Sequence, residues 1–255
     1  MRWTPLPEQL HALVADTPDS VLLETSRFDA ENRRSFVFLD AVETIAVRRL
    51  DEIPELFRRI EEALAAGLYV AGFLGYECGY HFERFDDVSF APQELPLAWF
   101  GVYREPMVFD HGRGCFDGEF GFSLTDAPAG ERHVLFGARE TLEKGEDDYC
   151  AQIQRIKEYI RAGETYQVNF TDKIRIQMKA AAGAAFGALV RRQPVAYSAL
   201  LHVEGQHILS LSPELFFRVE GGRIVTRPIK CTMHRGLDCA EDGAAAARLG
   251  NDEKN

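Results

Sequence analysis

Between residues 20 and 50, short apolar runs alternate with polar turn residues. Val21-Leu22-Leu23 comes first, then Ser35-Phe36-Val37-Phe38-Leu39, then Thr44-Ile45-Ala46-Val47. Runs of this length and type predict strands. The rhythm then changes. Ile53, Leu56, Phe57, Ile60 and Leu64 are spaced by 3, 1, 3 and 4. That spacing predicts one helical face over residues 52–66, with Gly67 as the stop. Tyr149, Ile153, Ile156 and Ile160, spaced by 4, 3 and 4, predict a second amphipathic helix running to about residue 161. Asp147 or Asp148 is its expected cap, and Ala162-Gly163 its end.

From residue 165 to 178 the period is two. Tyr166, Val168, Phe170, Ile174, Ile176 and Met178 fall on even positions, broken only by Asp172. Thr165, Gln167, Asn169, Thr171, Lys173, Arg175 and Gln177 fall on odd ones. The pattern predicts a long strand with one buried face. Its polar row is either a solvated sheet face or a pocket wall carrying Gln167 and Asn169. Residues 184–192 predict a short helix that ends before Pro194. Residues 197–203 and 207–211 predict strands around Glu204-Gly205. Residues 215–219 and 223–226 predict a hairpin across Glu220-Gly221-Gly222. The second half is therefore expected to be mostly antiparallel sheet with helices.

A chain of 255 residues allows one large domain or two small ones. The turn-rich stretch 110–145 suggests a boundary, dividing the chain into residues 1–144 and 145–255. Apolar residues at 46% and charged residues at 27% can build a core, which excludes disordered and collagen-like classes. The charge balance of 29 − 40 = −11 makes a poor non-specific binder of nucleic acid or anionic membrane. No run approaches the ~20 apolar residues of a membrane span. Met1-Arg2-Trp3-Thr4-Pro5 lacks the apolar core of a signal peptide. Cys78, Cys115, Cys150, Cys231 and Cys239 are scattered and read as reduced thiols of a cytoplasmic protein. Cys78 and His81 share a C-x-x-H spacing without a second pair. Gly72, Gly75 and Gly79 lack the spacing of a phosphate loop, so close packing is expected of them.

Candidate chemistry lies in the last hundred residues. Pro228 stiffens the backbone ahead of Lys230, and Arg227 and Arg235 flank that lysine. Such a cluster is either a solvated cationic loop or a site that gathers a dicarboxylate and lowers the lysine pKa. A free lysine is only about one part in a thousand neutral near pH 7.4. A nucleophilic one needs that fraction raised. Glu214 follows a turn at Ser212-Pro213.

Three segments carry a resemblance: A-G-E-T-Y-Q-V-N-F at 162–170, L-S-L-S-P-E-L-F-F at 209–217 and T-R-P-I-K-C-T-M-H-R-G at 226–236. Together they resemble the chorismate-utilising enzymes, and within them the aminodeoxychorismate synthase component I type, over residues 20–255. The resemblance implies an α+β fold, an anthranilate-synthase-like sandwich of mostly antiparallel sheets with outer helices, incomplete in this chain. It implies that Lys230 attacks C2 of chorismate as the C4 hydroxyl leaves. Ammonia then adds at C4 and expels the lysine, giving 4-amino-4-deoxychorismate for para-aminobenzoate and folate synthesis. Glu214 matches the general acid. Gln167, Thr232, Arg235 and Gly236 match substrate-binding positions. Isochorismate and salicylate synthases carry a lysine base at the place of Gln167, so a water-adding reaction is disfavoured. Anthranilate synthases carry alanine at the place of Lys230.

Further expectations follow from the same resemblance. Leu23, Glu24 and Thr25 match a tryptophan-pocket segment, or else form an ordinary edge strand. The implied cofactor is Mg²⁺, with ligands beyond residue 255 and no metal site in this chain. The implied partners are chorismate and a glutamine amidotransferase subunit supplying ammonia. Two positions depart from the pattern: Cys231 stands for a usual glycine and His234 for a common proline. The chain reads as part of a longer enzyme, and alone it is expected not to turn over chorismate. The alternatives are anthranilate synthase component I, or a non-catalytic truncated paralogue that binds an amidotransferase or an aromatic amino acid.

Overall fold

The computed structural model describes residues 3–27, 29, 31–83, 94–118, 136–142, 144–229 and 232–251, with the side chains of 136–142 excepted. The first half contains α1 (Gln9–Asp16), β1 (Ser20–Glu24), β2 (Arg34–Phe38), β3 (Glu43–Val47) and α2 (Ile53–Ala65). It continues with β4 (Tyr69–Leu74), β5 (Ala98–Tyr103), β6 (Met107–Asp110) and β7 (Cys115–Asp117). The second half begins near β8 (Phe136–Leu142), then α3 (Glu146–Ala162), β9 (Ile174–Met178) and α4 (Ala182–Arg192). Four more strands follow, β10 (Tyr197–Val203), β11 (Gln206–Ser212), β12 (Leu215–Glu220) and β13 (Arg223–Arg227), and then α5 (Cys239–Gly250).

One sheet runs in the order β11-β10-β1-β2-β6-β7 and so draws on both sides of residue 145. All its pairs are antiparallel. α1 and α4 cover one of its faces, burying Leu10, Val14, Leu22, Phe109, Phe186 and Leu200. A second sheet, β3-β5-β4, is backed by α2 through Ile45, Ile53, Leu56 and Val102. Val21, Phe38, Trp99, Tyr103, Leu201 and Val203 form a third buried cluster drawn from both sheets, the middle of a sandwich. Within it the Tyr103 hydroxyl donates to the Asp19 carbonyl at 2.9 Å, and burial pushes its pKa up.

The short local patterns are met. Gly67 ends α2 at φ +76°. Its N–H donates to the Leu64 carbonyl, and that of Leu68 to the Ala63 carbonyl, the left-handed helix end that glycine favours. Glu204 and Gly205, and Gly221 and Gly222, all have positive φ, as two-residue hairpin turns require. Close packing accounts for two of the three spaced glycines. A β-carbon on Gly72 would lie 2.0 Å from the Trp99 carbonyl oxygen, and one on Gly75 would lie 2.7 Å from that of Leu97. Gly79 has open space. We expect Gly72→Ala to destabilise the fold by about 1–3 kcal/mol, read by urea denaturation, because two strands must part to admit the methyl group.

Four expectations need correction. The N-cap of α3 is Gly145, which makes no side-chain bond; Asp147 and Asp148 lie in the first turn, where the helix dipole favours them. The long strand over 165–178 is short. Among the described residues only Ile174–Met178 is extended in a ladder, paired with β8, and all five of its residues are exposed. A two-stranded ribbon has no second layer to bury a period-two face. Tyr166 is 91% and Ile174 59% exposed. The apolar stripe of α3 is likewise open among the described residues, with Tyr149 and Ile160 about two-fifths exposed. In α2 the buried side is Ile53, Leu56 and Ala63, while Leu64 is exposed.

Candidate active site

A cleft of about 1080 Å³ opens where β1, β2, β10 and β11 face the β12 strand. Leu23, Glu24 and Thr25 form part of its wall, and Glu214 lies on it. Arg33, Arg34 and Asp110 add charge of both signs, and Phe36 and Phe216 add aromatic surface.

The wall at residues 24–25 rests on two buried histidines. Glu24 points inward from the end of β1 and is 5% exposed. His11 Nε2 of α1 meets its Oε2 at 2.7 Å, with the His11 ring edge-on to Phe186. The Thr25 N–H donates to Ser35 Oγ at 3.0 Å, and the Thr25 hydroxyl donates to the Arg34 carbonyl. Ser35 Oγ lies 2.7 Å from His111 Nε2, and His111 Nδ1 lies 2.8 Å from the Thr4 carbonyl oxygen. A carbonyl only accepts, so Nδ1 carries the hydrogen, and Nε2 of the neutral ring accepts from Ser35. Trp3 stacks on the same ring at 4.0 Å.

Burial pushes the His111 pKa down, outweighing the bond to Thr4. The unfolded chain therefore takes up this proton first on acidification. Stability from the neutral ring is complete above about pH 6.5 and falls below it, until the folded ring also protonates. We expect an extra loss of stability below pH 6.5, no steeper than ~1.4 kcal/mol per pH unit, which His111→Gln removes. Urea midpoints between pH 7.5 and 5.5 check it.

Glu214 sits in the turn between β11 and β12, exposed on the cleft rim. Its N–H donates to Ser212 Oγ, whose hydroxyl donates to the Glu214 carbonyl, each at 3.1 Å. Leu215 pairs with Arg227, so Glu214 and Pro228 leave the open end of the β12–β13 hairpin side by side. Lys230 and Cys231 lie outside the described residues.

Both arginines flanking that lysine in sequence are neutralised. Arg227 Nη2 donates to both oxygens of Glu31, at 2.7 and 2.6 Å, and Arg218 adds a third bond to the same carboxylate. Arg227 holds the Glu31 pKa below the usual carboxylate range. Arg235 grips Asp242 of α5 with Nε and Nη2 at 2.6 and 2.5 Å. Gly236 donates its N–H to the same carboxylate, and a β-carbon on it would lie 2.1 Å from the Asp242 nitrogen. Arg227 and Arg235 thus act mainly within their own ion pairs, and the expected field of three free cations shrinks.

The structure brings Leu23, Glu24, Thr25 and Glu214 to one cleft. Gln167 and Thr232 are exposed, and neither they nor Arg235 and Gly236 line it. Sequence reasoning missed Arg33, Arg34, Asp110 and Ser210 on its wall. The readable signal was polar side chains within strands at Ser35 and Ser198. No three His, Cys, Asp or Glu side chains converge among the described residues. These residues alone do not make a Mg²⁺ site. Cys78 is buried and donates its S–H to the Leu97 carbonyl, and burial raises its pKa, so it is a packed thiol.

A family model described as chorismate binding enzyme matches residues 21–255. The chain belongs to the chorismate binding enzyme family. Among curated proteins, this family member is 29% identical to aminodeoxychorismate synthase component 1 of Klebsiella aerogenes, over 72% of this chain and 43% of that protein. The Escherichia coli (strain K12) protein of the same name is also 29% identical, over 72% and 42%. Anthranilate synthase component 1 of Thermus thermophilus is 29% identical over 95% of this chain and 60% of that protein. The chain spans about two-fifths of the length of the two aminodeoxychorismate synthase relatives. Among solved structures, anthranilate synthase component I from Streptococcus pneumoniae TIGR4 superposes with a TM-score of 0.69 at 19% identity, covering 89% of this chain and 59% of that one. The mixed helix and antiparallel sheet fold expected of the family is the one observed.

Proposed function

We propose that this chorismate binding enzyme is of the aminodeoxychorismate synthase component I type, converting chorismate and ammonia to 4-amino-4-deoxychorismate. The observation that carries the reading is the Leu215–Arg227 pairing. It sets Glu214 beside the strand end that leads, three residues on from Arg227, to Lys230. Lysine at 230 with glutamine at 167 is the combination that separates this chemistry from its relatives. The Lys230 amine forms a bond to C2, the ring double bonds shift, and the C4–O bond breaks as Glu214 gives its proton to the leaving hydroxyl. Water leaves. Ammonia then bonds to C4, the double bonds shift back, the C2–N bond breaks to free the neutral lysine, and the new C4 ammonium returns a proton to Glu214. Two easier substitutions replace one hard one.

The same proposal includes a glutamine amidotransferase partner, Mg²⁺ and a cytoplasmic setting. Its test is the product made by the full gene product with chorismate, Mg²⁺ and ammonium. Non-fluorescent 4-amino-4-deoxychorismate is expected. Fluorescent anthranilate would assign the protein to the anthranilate synthases instead.

The cleft supports a second, compatible reading. Charge of both signs beside Leu23, Phe36 and Phe216 suits an amino acid with an aromatic side chain, such as tryptophan. Calorimetry with tryptophan, then with chorismate, separates an effector cleft from a substrate one.

A further inference from the structure

The β10–β11 hairpin carries two histidines that this chemistry does not use. Val203 and Gln206 close its two-residue turn as a hydrogen-bonded pair. The next pair out, His202 and His207, is therefore non-hydrogen-bonded, the kind whose side chains lie closest. Their ring centroids are 4.4 Å apart, with the planes 32° apart. Each ring has a nitrogen to spare. His207 Nε2 donates to the Ala15 carbonyl at 2.8 Å, which leaves the lone pair of the neutral ring on Nδ1. His202 Nδ1 is buried and has no hydrogen-bond partner among the described residues. An orphaned buried nitrogen is destabilising, and a coordinated ion would remove that cost.

The surroundings suit a cation. Ala15 lies in the last turn of α1, where the helix dipole is negative and no basic side chain offsets it. Ser20, the partner of His202 on β1, shares its one hydroxyl hydrogen between the Val14 and Thr17 carbonyls, which fixes its side chain toward α1.

We propose that His202 and His207 form a two-imidazole site for a divalent transition ion of the nickel, copper and zinc class. Neutral imidazole suits these ions and not Mg²⁺, which prefers oxygen. The Ala15 carbonyl fixes the His207 ring as an outer-shell partner does in metal sites. Water reaches the remaining positions from the exposed His207 side, and the ion clamps the two strands of the hairpin together.

The test is calorimetric titration of this chain with Ni²⁺ at pH 7.5, after alkylating the exposed thiols Cys115, Cys150 and Cys239. One ion per chain is expected. His202→Asn and His207→Asn should each weaken binding on the order of a hundredfold, since either one destroys the chelate. Mg²⁺ should bind neither the parent chain's hairpin nor the variants'. His207 is exposed, so its variant folds even if that of His202 does not. Absence of Ni²⁺ binding, or a loss below tenfold in the His207 variant, overturns the proposal. Neither result bears on the reaction with chorismate.

Discussion

Glu214→Gln in the full gene product is expected to lower kcat for 4-amino-4-deoxychorismate formation by about 10²–10⁴-fold, the usual worth of a positioned general acid. The amide keeps the shape of the side chain. The turn also survives, because both bonds to Ser212 use backbone atoms of residue 214. What is lost is the proton for the departing C4 hydroxyl. KM for chorismate should change little, since the group acts on the transition state rather than on the bound substrate. Glu214→Ala should match the Gln variant in kcat. Steady-state kinetics with ammonium as amine donor read both. A Gln variant within tenfold of wild type would remove Glu214 from the reaction.

His11→Ala is expected to cost about 3 kcal/mol or more of folding stability, because it leaves the Glu24 carboxylate buried without the ring nitrogen that bonds it. Against a typical total of about 5–15 kcal/mol, that is a large share. The loss also strips Phe186 of its edge-on neighbour. Glu24→Gln should cost far less, as an amide oxygen still accepts from the ring. Replacing both residues with alanine should cost less than the two single changes added together, because the partners no longer strand each other. Urea denaturation of the four chains measures the cycle. A His11→Ala cost below 1 kcal/mol would show that water reaches Glu24 and that the cleft wall is not built on this pair.

The parts of the fold that were legible in the sequence are those decided locally. β1, β2 and β3 are announced by apolar runs, and the two tight hairpins by Glu204-Gly205 and Gly221-Gly222, which need positive φ. Pairing across the chain was not legible. Nothing in the pattern says that Ser20 meets His202, because a strand's partner is chosen by the whole core rather than by its own period. α1 was missed for a local reason: it has eight residues and no capping side chain. The faces of α3 and β9 were over-read, since periodicity reports that a face is apolar and not that another layer covers it.

The site divides the same way. Glu214 and the segment 23–25 were found from motifs, and the cleft unites them. The ion pairs of Arg227 with Glu31 and of Arg235 with Asp242 were not found. The first joins residues far apart in sequence; the second depends on how α5 starts. They matter to the chemistry, because a paired guanidinium repels a neighbouring ammonium far less than a free one.

The central claim is that Lys230 becomes covalently bound to substrate. Incubating the full gene product with chorismate and Mg²⁺ without ammonia, followed by peptide mass spectrometry, tests it most directly. The account predicts an adduct on Lys230, with chorismate joined and water lost, that disappears when ammonium is added. An unmodified Lys230 under those conditions, in an enzyme that makes product once ammonium is supplied, would contradict it.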